Sequence, residues 1–88
     1  MKLTKEQSNL YHSHTIRNMK EIQGSQKCGC MSCCRIYSPD VVEGGIKETK
    51  GNEYTALCPY CFCDSLVGDA SGLEINEEIL IALNKIWF

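Results

Sequence analysis

Lys27-Cys-Gly-Cys-Met-Ser-Cys-Cys-Arg-Ile36 and Leu57-Cys-Pro-Tyr-Cys-Phe-Cys63 together carry all seven cysteines of this 88-residue chain. Within them stand two C-x-x-C pairs, Cys30-Met-Ser-Cys33 and Cys58-Pro-Tyr-Cys61, with 24 residues between them. Each such pair can close into a tight turn whose two thiolates form one edge of a tetrahedron, about 2.3 Å from a zinc ion, and a second pair supplies the opposite edge. Four protein ligands leave no position for an activated water. The expectation is therefore one structural Zn²⁺ on Cys30, Cys33, Cys58 and Cys61, rather than a catalytic metal. An iron–sulfur cluster uses the same thiolates and is the alternative metal reading. Cys28, one residue before Cys30, is a candidate to exchange roles with one of the four, while Cys34 and Cys63 read as small buried hydrophobes or exposed spares.

The rest of the composition explains why such a staple is needed. A chain of 88 residues with 43% apolar residues makes one small domain whose core alone is thin. An odd number of cysteines cannot all pair, which turns the choice from disulfide to metal. The opening Met-Lys-Leu-Thr-Lys-Glu-Gln-Ser-Asn-Leu has no signal-peptide form and no run of about 18 apolar residues follows, so a cytoplasmic location without a membrane span is expected.

Outward from the cysteines, the chain reads as a helical arm (1–24), a core (25–72) and a C-terminal helix (73–88). Thr4-Lys5-Glu6-Gln7 has the capping-box form and predicts a helix over 5–12. Ile16, Met19 and Ile22 at helical spacing, stopped by Gly24, predict a second helix of about eight residues after Thr15. Ser38-Pro39-Asp40 starts a short helix that Gly44-Gly45 ends. Tyr54-Thr-Ala-Leu57 is strand-favourable and runs into Cys58. Asn76 caps a last helix with Glu77 and Glu78 in its first turn and Ile75, Ile79, Ala82, Leu83 and Ile86 on one face, which Leu80 and Ile81 widen. The fold class expected is a small α+β zinc ribbon, with two knuckles, a two- or three-stranded sheet and flanking helices.

Several other chemistries are set aside. Cys58-Pro-Tyr-Cys61 spells a thioredoxin-like redox pair, but the long helix that must follow it is interrupted by Asp64-Ser65 and Gly68. His12-Ser-His14 puts two imidazoles on different sides of a helix, which favours surface histidines over a second metal site. No zinc-deaminase, P-loop, nucleophile-elbow or H-E-x-x-H pattern occurs. No catalytic residue is assigned, and the chain is expected not to be an enzyme.

Lys27-Cys-Gly-Cys-Met-Ser-Cys33, Ile36-Tyr-Ser-Pro39, Thr55-Ala-Leu-Cys-Pro-Tyr-Cys61, Asp64-Ser-Leu-Val-Gly68, Ser71-Gly72 and Asn84-Lys-Ile-Trp-Phe88 resemble a family of small bacterial proteins described only as cytoplasmic and similar to zinc ribbons. The resemblance covers about residues 20–88. It implies a four-cysteine zinc site and a bacterial or phage origin, and carries no established activity. Members resemble one another in having glycine directly after the last cysteine of the second knuckle, where a positive φ is needed; here Phe62 holds that place.

Two functional classes follow from the surface chemistry. Residues 1–35 hold six basic residues against Glu6 and Glu21, a balance of +4, whereas residues 36–88 hold three against nine, or −6. The first reading is a non-enzymatic protein-binding module, an inhibitor, immunity factor or adaptor, whose surface is Tyr60, Phe62, Glu77, Glu78 and Trp87, with Phe88 beside it. The second is nucleic-acid binding through Lys2, Lys5, Arg17, Lys20, Lys27 and Arg35; a sequence pI near 5.6 weighs against it. A thiol redox sensor using Cys28, Cys34 or Cys63 is the weakest. The sequence leaves homo-oligomerisation open.

Overall fold

Residues 1–48 and 53–88 are described by the structure, a computed structural model. They form three α-helices and two small antiparallel sheets, a small α+β arrangement. Helix α1 (Lys5–Ser13) starts where the capping box puts it. The Thr4 hydroxyl accepts from the Gln7 amide at 3.0 Å while the Gln7 side chain accepts from the Thr4 amide at 2.9 Å. Its thin apolar content is concentrated in Tyr11, which is 7% exposed and donates its hydroxyl to the Glu74 carbonyl at 2.7 Å. That one bond ties the N-terminal arm to the segment leading into the last helix.

Helix α2 (Met19–Gln23) is shorter than the spacing predicts, because the chain turns at Arg17, which has φ 52°. The cause lies in Asn18. Its side chain donates to the carbonyls of Leu66 at 2.7 Å and His14 at 2.9 Å and accepts from the Ala56 amide at 3.0 Å. A buried amide satisfied by three partners fixes the turn, so the helix begins after it and Ile16 is left exposed. Ser38 caps a single 3-10 turn, Pro39–Val41, that stops before the two glycines.

The strands are β1 (Cys28–Cys30), β2 (Ile36–Tyr37), β3 (Gly45–Lys47), β4 (Tyr54–Ala56) and β5 (Leu66–Gly68). The first sheet has the order β2-β1-β5, with Cys28 opposite Tyr37 and Cys30 opposite Leu66. The strand before the second knuckle, β4, pairs with β3 in a separate two-stranded sheet, with Gly45 opposite Ala56. The single sheet of the sequence reading is thus two.

Alternation along β1 sorts the core into two sides. Cys28 and Cys30 join Ile22, Ala56, Cys58 and Leu66 in one buried cluster. Gly29 points the other way, where Met31, Val67, Ile75, Ile79, Leu80 and Leu83 pack around helix α3 (Glu77–Trp87). A Cβ on Gly29 would lie 2.7 Å from Leu80 Cδ1, so the absence of a side chain lets α3 approach the sheet. Helix α3 starts at Asn76, whose side chain accepts from the Ile79 amide at 2.8 Å. Its buried stripe is Ile79, Leu80, Ala82 and Leu83; Ile81 and Ile86 are exposed, because the helix meets one sheet face and is not enclosed.

Candidate metal centre

Both knuckles have the same backbone. In the first, the Cys34 amide donates to the Cys30 carbonyl at 2.8 Å and the Cys30 amide to the Arg35 carbonyl at 3.0 Å. In the second, the Phe62 amide donates to the Cys58 carbonyl at 2.9 Å and the Cys58 amide to the Cys63 carbonyl at 3.0 Å. Cys34 and Phe62 occupy equivalent places and take the same left-handed conformation, φ 61° and 64°. The second knuckle therefore turns as it would with glycine, at a cost on the order of 1–2 kcal/mol for a side chain in that region. Phe62 carries that strain while 75% exposed, with its ring contributing little to the interior.

The two turns bring four sulfurs together. Cys30, Cys33, Cys58 and Cys61 place their Sγ atoms within 4.8 Å of one another, an arrangement that could hold a metal ion. Across the knuckles, Cys30 and Cys61 sulfurs are 3.5 Å apart and those of Cys33 and Cys58 are 3.8 Å apart. The edge of a tetrahedron with ligands about 2.3 Å from its centre is roughly 3.8 Å, and a disulfide would need about 2.05 Å. All seven cysteines are free thiols. Cys28 lies outside the group of four and directs its thiol to the Tyr37 carbonyl at 3.5 Å.

Donors surround these sulfurs, as they must if the sulfurs are thiolates. The Tyr37 hydroxyl donates to Cys58 Sγ at 2.9 Å, and the Ser65 hydroxyl lies 3.4 Å from Cys30 Sγ. Backbone amides of Ser32 and Cys33 reach Cys30, that of Arg35 reaches Cys33 and that of Cys63 reaches Cys61. Burial still pushes the thiols of Cys30 and Cys33 up. Cys61 is also pushed up by burial, but the Cys63 amide and the thiols of Cys30, Cys58 and Cys63 outweigh this and hold it down at about 7. Four thiolates in one pocket need a cation to balance them, and the donor set fits a thiophilic dication. Cys28 is pushed up to about 12 by burial and by the neighbouring charges of Cys58 and Asp69, which keeps it a neutral thiol beside the cluster.

The proposed partner-surface residues do not converge on one patch by contact. Tyr60 is half-exposed, with the Arg35 guanidinium 4.7 Å above its ring and the Tyr37 ring 5.1 Å away. Glu77 and Glu78 are exposed in the first turn of α3. Trp87, 38% exposed, stacks on His12 at 4.1 Å. His14 is only part-exposed and bonds the Glu21 carboxylate at 2.9 Å, so of the two histidines it departs from the free surface role. Lys2, Lys5, Arg17, Lys20, Lys27 and Arg35 are all exposed. Cys34 packs against the α3 cluster and Cys63 faces the Ser32 hydroxyl at 3.4 Å. Sequence reading missed Tyr37, Ser65 and Asn84; the Asn84 side chain donates to the carbonyls of Met31 at 3.1 Å and Ser32 at 2.8 Å, clamping α3 to the first knuckle. An aromatic directly before a capping serine carries no signal that it will bond a sulfur 21 positions on.

Comparison with protein-family models, curated proteins and solved structures finds no match. Among the described residues, no helix is long and apolar enough to cross a membrane.

Proposed function

We propose that the chain is a zinc ribbon in which one Zn²⁺ on Cys30, Cys33, Cys58 and Cys61 is structural, and that it acts, without enzymatic activity, as a cytoplasmic protein-binding module of the inhibitor, immunity-factor or adaptor kind. When bound, zinc supplies the charge that lets four clustered thiols ionise and the crosslink that holds the two knuckles together. Tyr37 and Ser65 orient the sulfurs, and four sulfur ligands exclude a reactive water.

The observation that carries the binding reading is Phe62. A large aromatic kept at positive φ and in water, at a position where glycine would be unstrained, is a local cost that folding does not recover, and such costs collect at working surfaces. Val41, Leu57 and Pro59 line a groove beside it and give a partner an apolar seat. Tyr60, with Arg35 across its face, extends the exposed knuckle. The expected test is capture of a protein partner by the intact chain, lost in Phe62→Ala while zinc stays at about one per chain; loss of zinc and partner together is expected only for Cys58→Ser/Cys61→Ser. Retained capture by Phe62→Ala contradicts the reading. Nuclease-sensitive nucleic acid in the captured material supports the basic-residue reading in its place.

A further inference from the structure

A cavity of about 310 Å³ lies where α1, the residues after β3, the segment following the second knuckle and the end of α3 meet. It is built without Tyr60 and Phe62, which carry the partner reading, and shares with the expected partner surface only Trp87 and Phe88. Its volume suits a small organic group. The Trp87 indole lines it with one face taken by the His12 ring, and the carboxylates of Glu48 and Asp64 line it as well. Among the described residues, no lysine or arginine does. The Glu48 carboxylate is held in place by the Thr55 hydroxyl, which donates to it. Ser65, 4% exposed, is shared with the metal centre, since its hydroxyl is the one 3.4 Å from Cys30 Sγ.

Among the described residues, two carboxylates line this space with no lysine or arginine beside them, which gives a negative local potential. An indole adds attraction for a cation near its ring. An anion meets repulsion there, and a neutral apolar group meets carboxylates it cannot satisfy. We propose that this cavity is a binding site for an organic cation, a guanidinium or alkylammonium group on an aliphatic stem, with Glu48 and Asp64 as its counter-charges and Trp87 as its aromatic contact. The chemistry is that of an arginine or lysine side chain, carried either on a peptide or by a free amine. Because Ser65 belongs to both places, the segment after the second knuckle joins the metal centre to the cavity.

Trp87 is the single tryptophan of the chain, so its emission reports on the cavity directly. The metal-loaded full chain is titrated with N-acetyl-arginine amide, N-acetyl-lysine amide and, as a neutral isostere, N-acetyl-citrulline amide, with the Trp87 indole N–H resonance followed in parallel. A saturable response is expected for a cationic probe, with citrulline at least about five-fold weaker, and Glu48→Gln and Asp64→Asn each weakening the cation at least about three-fold. An equal response to citrulline, unchanged binding in both variants, or no response in either spectrum overturns the proposal. Agmatine and an acetyl-Gly-Arg-Gly amide peptide separate the sources: tighter binding of the peptide supports a side chain on a partner, and tighter binding of agmatine supports a free amine.

Discussion

Tyr37 donates its hydroxyl to Cys58 Sγ at 2.9 Å, and burial, followed by that bond, pushes its own ionisation far above the ordinary tyrosine range. It is therefore a permanent donor to one of the four sulfurs. Tyr37→Phe keeps the ring and removes the donor, and is expected to weaken zinc binding about ten-fold or more, read by competition with a chromophoric chelator. Phe62 gives the opposite sign. Phe62→Gly releases the left-handed strain of about 1–2 kcal/mol and returns part of it as backbone entropy, leaving the metal-loaded protein about 0.5–1 kcal/mol more stable in thermal unfolding at fixed zinc. A lower melting temperature would show that the exposed ring packs usefully after all. The comparison of Phe62 with glycine made its positive φ legible from sequence; the partnership of Tyr37 with Cys58 was not, because it joins residues 21 positions apart through the side of a sheet.

Among the elements, those set by local chemistry were readable. Thr4 with Gln7 and Asn76 before Glu77-Glu78 are cap signals whose bonds close within three residues, and both helices begin where those signals lie. The Cys-x-x-Cys turns are equally local. What could not be read depends on long-range pairing. Asn18 shortens α2 because it serves Leu66 and Ala56, 48 and 38 residues away, and the same side chain bridges β5 of the main sheet to β4 of the second. Ile81 and Ile86 extended the apolar stripe of the last helix, but only the sheet geometry decides how much of a stripe is covered. Two variants test these joints. Asn84→Ala removes both bonds that clamp α3 to the first knuckle and is expected to destabilise by about 1–3 kcal/mol. Gly29→Ala drives a methyl into Leu80 and is expected to cost a similar amount by overpacking, lowering the melting temperature without changing metal content.

For the molecule as a whole, the two buried clusters meet at β1, which carries Cys28 and Cys30 on one side and the glycine under α3 on the other. A domain of this size gains on the order of 10 kcal/mol of apparent folding free energy from a structural zinc, so chelation is expected to unfold it, read as loss of helical circular dichroism. Acid should do the same. Each ligand must give up a proton to bind, so protons compete with the metal, and the stability that bound zinc would supply is expected to decline as pH falls. X-ray absorption at the zinc edge of the purified protein tests the central claim most directly. One zinc per chain with four sulfurs at about 2.3 Å is the predicted result; a shell containing nitrogen or oxygen, or a folded protein free of metal, would contradict it.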